Sequence, residues 1–406
     1  MYIEYVEKGI CAPKGFRASG VHVGFRKNKK KRDLALIVSD RICSSAAVYT
    51  KNKVRSAPII VNREHLANGK ARAIICNSGN ANTCAPNGVQ IARDTCKLTA
   101  DALKINEEDV IVCSTGVIGE PMYIEPFAAG IPKAVKKLAY DGSSAAATAI
   151  TTTDTAIKEI AVSFVIGNKE CFMGGIAKGS GMINPNMATM LCFITTDAAI
   201  DSIMLQKALD NDILDTFNQI SIDGDTSTND TVAILANGLA GNPVIRSDGE
   251  DYEQFCEALR AVSSKLCKDI AKDGEGATKL MECIVSGAPD EKIARKVAKT
   301  VIQSELVKTA MFGEDANWGR ILCAVGYADA EFSVTDVDIV ISSVGGNVDV
   351  CRHSVACVFD EALAKRILGA DEIKLLVSLN QGKAGAIAYG CDMTYDYVRI
   401  NGRYRT

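Results

Sequence analysis

The stretch from Asn184 to Phe193, NPNMATMLCF, places a threonine where a glycine-rich approach meets an apolar segment. Residues 174–183 read GGIAKGSGMI, and the residues from Leu191 onward are of the kind that fills a buried strand. Thr189 therefore has two interpretations. It is either the β-branched first residue of a buried strand or a nucleophile that the chain exposes at a tight junction.

Threonine is a weak nucleophile unless a base lies beside it, and an N-terminal threonine carries its own base in its α-amino group. That amine has an ordinary pKa of about 7.7–8, which suits base catalysis near neutrality. Thr189 gains the amine only if the Ala188–Thr189 bond is cut. Its hydroxyl can cut the bond by attacking the carbonyl of residue 188 and forming an ester that water opens. Glycines upstream are expected to give the bond the necessary flexibility. From chemistry alone, an ordinary loop entering a strand remains the alternative.

The composition is that of a soluble globular protein, with 406 residues, 47% of them hydrophobic and 23% charged. This length predicts two domains or one large layered unit. The net charge of −3 argues against nucleic acid as a partner. The basic run at 26–32 is predicted to be a solvated turn between two strands. No apolar run approaches 18 residues, so no membrane span is expected.

The spacing of the cysteines and histidines does not indicate a metal site. The 15 cysteines contain no CxxC pair, and the three histidines are not spaced for a shared ligand role. Scattered cysteines in a long chain suggest reduced thiols in a cytoplasmic protein. Phosphate-binding motifs of the GxxxxGK[ST] and GxGxxG types are missing from the sequence, so no bound nucleotide cofactor is expected.

Hydrophobic periodicity predicts an α/β fold in which layered sheets are covered by helices. Segments with a period of two are predicted to be strands; they are 160–166, 337–341 and 393–400. Stripes with a period near 3.6 are predicted to be helices; they are Tyr252 to Ile270, Leu205 to Phe217, and Ile293 to Leu306.

Five clusters rich in Gly, Asn, Thr and Ser are candidate binding loops: 77–82, 114–119, 151–155, 224–230 and 312–320. The second follows the apolar run Val110–Val112, so its backbone N–H groups at the end of a strand could hold a developing oxyanion or close an ordinary turn. Glu275 follows the long predicted helix and, taken alone, is expected to face solvent.

Eight motifs in order carry a family resemblance. They are GFRASGVHVGFRK, CNSGNAN, STGVIG, TTTDT, GGIAKGSGMINPNMATML, GDTSTND, KTAMFGEDANWGRI and INGRYRT. The chain resembles the ornithine acetyltransferase family, also called bifunctional glutamate N-acetyltransferase/amino-acid acetyltransferase, of arginine biosynthesis. The resemblance implies the layered fold of that family and of self-processing aminopeptidases. It also implies self-cleavage at Ala188–Thr189 into an α chain, 1–188, and a β chain, 189–406, that stay interwoven in one folded unit.

By the same resemblance, Thr189 is the nucleophile that carries the acetyl group from N-acetylornithine to glutamate in a ping-pong reaction. Thr115 and Gly116 form the oxyanion hole. The residues implied to bind substrate are Thr152, Lys178, Thr189, Glu275, Asn401 and Thr406. Lys178 suits the substrate α-carboxylate and Glu275 its ammonium. A bound cofactor or metal is not implied, acetyl-CoA is expected as a further donor substrate on family frequency alone, and the expected assembly is α2β2.

Two departures from the family pattern bear on these residues. A third threonine in the run 151–153 leaves a one-residue choice in the alignment of Thr152, and Arg403 stands where the family often has an acidic residue. Two other functions compete with the transferase. One is a self-processing aminopeptidase or amidase, which would have serine at the cut site. The other is an uncleaved, non-enzymatic metabolite-binding protein.

Overall fold

A computed structural model describes residues 3–184 and 190–403 of the chain. The chain divides into two units that are each built from separated segments. Unit 1 consists of Met1–Gly179, Pro185–Leu214 and Thr226–Leu266, and unit 2 of Ser180–Asn184, Asp215–Asp225 and Cys267–Thr406. Each unit therefore takes residues from both sides of the 188–189 bond.

The described residues contain sixteen strands and eleven α-helices. The strands are β1 (Glu4–Val6), β2 (Phe16–Val21), β3 (Leu34–Tyr49), β4 (Lys70–Asn80), β5 (Val110–Val117), β6 (Lys158–Ile166), β7 (Lys169–Lys178), β8 (Leu191–Thr196), β9 (Ile220–Ser221), β10 (Thr231–Ala236), β11 (Leu280–Ala288), β12 (Asp338–Ser343), β13 (Gly346–Arg352), β14 (Val355–Ala356), β15 (Glu372–Ser378) and β16 (Ala384–Cys391). The helices are α1 (Ala57–His65), α2 (Gly88–Leu103), α3 (Glu125–Lys136), α4 (Ser143–Ile150), α5 (Ser202–Asp215), α6 (Glu250–Lys272), α7 (Glu291–Gln303), α8 (Glu305–Phe312), α9 (Trp318–Gly326), α10 (Glu361–Leu368) and α11 (Tyr395–Asn401).

Unit 1 is built on a sheet in which nine described strands follow the order β1-β6-β7-β8-β10-β3-β4-β5, with β2 pairing beside β3. Alternate residues of β3, β4 and β5 enter two different cores. Ile37, Ile74 and Ile111 pack on one face with α4 residues, while Leu36 and Ile75 pack on the other with α2 and α3 residues. Because both faces are covered, these strands are nearly continuous apolar runs rather than alternating ones.

Unit 2 is built on a second sheet, in the order β14-β13-β12-β15-β11-β16-β9 among the described residues. Its core joins β11, β12 and β15 to α7, α8, α9 and α10. Helix α7 begins at Asp290, whose side chain accepts from the Ile293 backbone N–H and so satisfies one of the first-turn donors.

The predicted fold class, layered sheets covered by helices, is confirmed. Strands at 160–166 and 337–341 and the helix from Tyr252 to Ile270 are also confirmed. The helix predicted from Leu205 to Phe217 is confirmed as far as Asp215, where α5 ends, and Phe217 lies in a separate short 3-10 helix. The basic run at 26–32 lies in the connection between β2 and β3 and is mostly exposed, as predicted. None of the helices within 3–184 and 190–403 combines the length and apolar character that a membrane crossing needs.

Two secondary-structure predictions are wrong. Residues 393–400 do not form a strand, because Thr394 caps a helix by accepting from the Asp396 N–H at 3.1 Å, and α11 follows. The alternation in this segment is not a buried face, since Val398 is 69% exposed. The stripe from Ile293 to Leu306 is also not one helix. Ser304 ends α7 and caps α8, and Leu306 is exposed on the second helix.

The ends of β4 and β5 approach each other so closely that they require glycine. Gly79 and Gly116 are register partners in the parallel β4–β5 pair. Both have positive φ, +112° and +134°, which side-chain-bearing residues rarely adopt. A Cβ on Gly116 would lie 2.3 Å from the backbone carbon of Gly79. The two polar clusters at 77–82 and 114–119 are thus joined backbone to backbone.

Gly116→Ala should destabilise the protein by about 3 kcal/mol, because it combines an unfavourable φ with a backbone clash that no rotamer relieves. Gly119→Ala is the matched control. Gly119 also has positive φ, but a Cβ there meets nothing within 4 Å, so a loss of about 1 kcal/mol is expected. Urea unfolding of both variants measures the difference, and equal losses would contradict the close approach.

Candidate active site

Six of the site residues predicted from the sequence are among the described residues, and three are not. Thr115, Gly116, Thr152 and Lys178 belong to unit 1. Glu275 and Asn401 belong to unit 2. The predicted cleavage site, Ala188 and Thr189, and the predicted C-terminal binding residue, Thr406, lie outside the described residues.

In unit 1, Asn229 ties the polar ends of β4 and β5 to the cluster at 224–230. Its Nδ2 donates to the carbonyl oxygens of Ala81 at 2.6 Å and Ser114 at 2.7 Å. Its Oδ1 accepts from the hydroxyls of Thr83 at 2.8 Å and Thr228 at 2.6 Å. Asn229 is 7% exposed, so these bonds are made away from bulk water. They hold the Ser114 backbone, directly before Thr115, against the 81–83 segment.

A second tie joins β4 to the threonine run. The Ser78 hydroxyl donates to the Ala149 carbonyl oxygen at 2.7 Å, near the end of α4. Helix α4 ends at Ile150, and the run that begins at Thr151 follows directly. Ser78 is also the register partner of Thr115. The clusters at 77–82, 114–119 and 151–155 and the 226–230 part of the cluster at 224–230 are therefore linked within unit 1.

Two cysteines next to these strand ends do not compete as nucleophiles. Cys76 and Cys113 are register partners one residue before Asn77 and Ser114. Burial raises the pKa of the Cys113 thiol to about 12 and that of Cys76 well above its usual value. A cysteine reacts as the thiolate, so both thiols remain unreactive at neutral pH.

Asp154 links the threonine run to the strand that ends at Lys178. Its Oδ2 accepts from the Thr152 backbone N–H at 2.8 Å, and its Oδ1 accepts from the Gly179 backbone N–H at 2.7 Å. The same Oδ1 pairs with the Lys158 ammonium at 2.7 Å. Burial opposes ionisation of Asp154, but the charges of Lys178 and Lys158 and these hydrogen bonds outweigh it and lower the pKa of the carboxyl.

In unit 2, Glu275 and Asn401 lie together, and the prediction that Glu275 faces solvent is wrong. Glu275 is 7% exposed, and its Oε2 accepts from Asn401 Nδ2 at 2.7 Å. Its backbone N–H donates to the Ser180 carbonyl oxygen at 2.8 Å. A Cβ on Gly181 would lie 2.4 Å from the Glu275 carboxylate, so the carboxylate lies directly on the 180–181 backbone.

Parts of the glycine-rich approach are packed or hydrogen-bonded closely against other segments. Gly174 lies within β7, where a Cβ would meet the Gly9 carbonyl oxygen at 1.9 Å. In unit 2, Asp223 accepts from the backbone N–H groups of Met182 at 2.6 Å and Ile183 at 2.9 Å. Asn184 donates to the Gly224 carbonyl oxygen at 2.9 Å. At Gly174, glycine is therefore required because β7 lies too close to the Gly9 backbone to leave room for a side chain.

One group of potential metal ligands exists among residues 3–184 and 190–403. Ligand atoms of Asp336, Asp338 and His353 lie within 4.8 Å of one another in unit 2. His353 Nδ1 is 2.5 Å from Asp336, which raises the pKa of the imidazole through a hydrogen bond and charge attraction. Arg352 is 3.2 Å from Asp338. Because these side chains already have partners of opposite charge, we interpret the group as an ion-pair cluster.

Sequence reasoning missed three residues that organise these loops: Asp154, Asp223 and Asn229. Asp154 and Asn229 lie inside clusters that the sequence singled out as polar, Asp223 lies directly before one, and all three accept from backbone N–H or hydroxyl groups. A side-chain acceptor in a run of small polar residues is a signal for a loop anchor, but the sequence does not say which backbone groups it will meet.

Comparison with known proteins gives matches along the whole chain. The ArgJ family model matches residues 17–406. The arginine biosynthesis bifunctional protein ArgJ of Caldanaerobacter subterraneus subsp. tengcongensis is 50% identical over 405 residues, covering 100% of both chains. The bifunctional protein ArgJ 1 of Clostridium acetobutylicum is 48% identical over 400 residues, covering 98% of both.

Among solved structures, the bifunctional protein ArgJ of Bacillus halodurans is 46% identical with a TM-score of 0.49, covering 51% of this chain and 96% of that one. The resemblance inferred from the eight motifs is confirmed by the family model and by the full-length relatives. The chain belongs to the ArgJ family.

Proposed function

We propose that this protein transfers the acetyl group of N-acetylornithine to glutamate, producing ornithine and N-acetylglutamate in arginine biosynthesis. The observation that carries the proposal is the match to relatives named arginine biosynthesis bifunctional protein ArgJ along the full length of both chains. The aminopeptidase or amidase and the non-enzymatic binding protein have no comparable support.

In this proposal the chain cuts itself between Ala188 and Thr189, and the α chain, 1–188, and β chain, 189–406, stay interwoven. The arrangement of β8 supports this. Leu191, two residues after Thr189, pairs with Lys178 of β7 and with Thr231 of β10. A chain beginning at residue 189 would therefore enter the middle of a sheet, with a strand of the α chain on one side.

The proposed reaction has two acyl transfers. The Thr189 hydroxyl attacks the acetyl carbonyl and its α-amino group takes the proton; the C–N bond of N-acetylornithine then breaks, and ornithine leaves with that proton. The glutamate amine attacks the acetyl-threonine ester, restoring the hydroxyl. Thr115 and Gly116 stabilise the oxyanion of each step, and the rigid backbone around them supports this role because preorganised donors need no rearrangement.

Substrate binding is assigned to Thr152, Lys178, Glu275, Asn401 and Thr406, together with Thr189. Lys178 would pair with the α-carboxylate and Glu275 with the side-chain ammonium of N-acetylornithine. The support is that both residues are nearly buried, at 8% and 7% exposure, and that the Glu275 carboxylate already accepts from the Asn401 amide. A charge that is buried and oriented in advance binds an opposite charge more strongly than a solvated one.

Three further parts of the proposal go beyond the acetylornithine reaction. Acetyl-CoA serves as a second acetyl donor, in keeping with the word bifunctional in the relatives' names, and no bound cofactor takes part. The fragments assemble as α2β2. The cytoplasm is the proposed location, supported by 15 cysteines that are all reduced thiols.

Thr189→Ala should abolish both cleavage and acetyl transfer, because it removes the hydroxyl that both reactions use. Intact-mass measurement should show one 406-residue chain for the variant and two fragments ending and starting at the 188–189 bond for the wild type. Thr335→Ala, on the surface, is the control and should be processed normally. A wild-type protein that stays full length, or a variant that still transfers acetyl, would exclude Thr189 as the nucleophile.

Glu275→Gln should raise the KM for N-acetylornithine by about ten-fold or more, since a charge-assisted hydrogen bond contributes about 1.5–3 kcal/mol. Glutamine keeps an oxygen that can accept from Asn401, so the loop should keep its structure. Glu291→Gln, at an exposed ion pair with Arg295, is the matched control and should have a normal KM. A wild-type KM in a processed Glu275→Gln enzyme would place the ammonium elsewhere.

With acetyl-CoA and glutamate but no N-acetylornithine, the processed enzyme should release thiol continuously. Following the free thiol measures this directly, and Thr189→Ala should release none. An enzyme that is active with N-acetylornithine but releases no thiol would be limited to acetyl recycling, and the acetyl-CoA part of the proposal would be withdrawn.

A further inference from the structure

The ion pair between Asp154 and Lys158 is buried next to the end of β7, where Lys178 lies, and no step of the proposed reaction uses it. The Asp154 side chain is 0% exposed and the Lys158 side chain 1%, with 2.7 Å between Oδ1 and Nζ. A buried ion pair is a poor source of net stability, because the desolvation of two charges offsets most of their attraction. Its presence is better explained by what the pair holds in place.

The pair holds the backbone at or next to two of the proposed substrate-binding residues, Thr152 and Lys178. Asp154 accepts from the N–H of Thr152 and from the N–H of Gly179, the residue after Lys178. Lys178 ends β7, and Lys158 begins β6 as the register partner of Ala177. One carboxylate therefore fixes the threonine run relative to the end of β7.

The charges matter as well as the hydrogen bonds. The Asp154 carboxylate interacts with two ammonium groups, those of Lys178 and Lys158. The Lys158 ammonium neutralises part of the negative charge of Asp154. Lys178 therefore has less of that charge to neutralise. If Lys158 lost its charge, Lys178 would become the main counter-ion of a buried carboxylate and would attract an external anion less strongly.

We propose that Asp154 and Lys158 are positioning residues for the substrate's α-carboxylate: Asp154 fixes the segments of Thr152 and Lys178, and Lys158 neutralises Asp154 so that the Lys178 charge is available to the substrate. This rests on the proposed function, because it takes Lys178 as the carboxylate-binding residue. N-acetylornithine and glutamate both carry that carboxylate, so both acetyl transfers depend on the pair.

Binding of ornithine and of putrescine, its decarboxylated analogue, to processed enzyme tests the proposal by calorimetry. Lys158→Met should weaken ornithine binding about ten-fold or more and change putrescine binding less than about three-fold. With N-acetylornithine as substrate, the loss should be in KM rather than kcat. Lys207→Met is the matched control, since it breaks an exposed ion pair with Asp248 of the same unit and should change neither ligand.

The double variant D154N/K158M separates charge from structure. It removes both charges together, while asparagine keeps one oxygen that can still accept from a backbone N–H of Thr152 or Gly179. Because Lys178 then has no buried carboxylate to neutralise, ornithine binding should recover partly relative to Lys158→Met. Should Lys158→Met not fold, the double variant should still prefer ornithine over putrescine to within about ten-fold of the wild-type ratio, because neutral replacement of a buried pair is usually tolerated.

Three outcomes would overturn the proposal: unchanged ornithine binding in Lys158→Met, equal losses for ornithine and putrescine, or a double variant no better than the single one. Failure of the proposed function is distinct from these, since a wild-type protein that neither binds ornithine nor transfers acetyl would show it before any variant is made.

Discussion

Strand β3 pairs with different strands along its length, and the rest of unit 1 depends on this arrangement. The early part of β3 pairs with β2, the late part with β10, and β4 pairs along both, with a register shift between Val38 and Cys43. This one strand therefore connects the β4–β5 pair, which carries Thr115 and Gly116, to the β10–β8–β7 series, which ends at Lys178. Disruption of β3 would therefore separate the β4–β5 pair from the β10–β8–β7 series without changing a residue of either.

Side-chain acceptors hold the polar loops of each unit. In unit 1, Asp154 and Asn229 each accept hydrogen bonds from two different segments. In unit 2, Asp223 accepts from two consecutive backbone N–H groups, those of Met182 and Ile183. Such acceptors give short polar loops a defined geometry that their own side-chain packing could not provide. The charged residues proposed to bind substrate lie next to such loops. In unit 1, Lys178 precedes the backbone N–H from which Asp154 accepts, and in unit 2, Glu275 is hydrogen-bonded to the 180–183 segment. Rigidity of this kind favours a site whose donors must already be in place when charge develops.

Much of the fold was predictable because its signals are long or repeated. The stripe from Tyr252 to Ile270 spans five helical turns, and the apolar alternation in 160–166 falls on a strand, although residues 161–164 are buried on both faces. The segment 393–400 is too short for its alternation to outweigh a capping threonine. The single helix predicted from the stripe through Leu306 likewise took no account of Ser304, which caps a new helix. Local capping chemistry decided both cases.

The candidate site was predictable as a set of clusters but not as a geometry. The polar runs at 77–82, 114–119, 151–155 and 226–230 were visible in sequence, and the structure links them within unit 1. The burial of Glu275 was not predictable, because it depends on the bare backbone at Gly181 and on Asn401, more than 100 residues away. Asp154 was hidden for a similar reason, since an acid among threonines resembles a solvated loop.

The position of β8 has a consequence for how the mature protein loses its structure. Strand β8 lies between β7, which precedes residue 188, and β10, which follows it. If the chain is cut there, the unfolded state consists of two separate polypeptides, and reassembly becomes a second-order process. The midpoint of unfolding would then depend more steeply on protein concentration than that of the uncut precursor. Dilution would thus weaken the processed enzyme more than the precursor, even though the bond that was cut contributes little to the folded state.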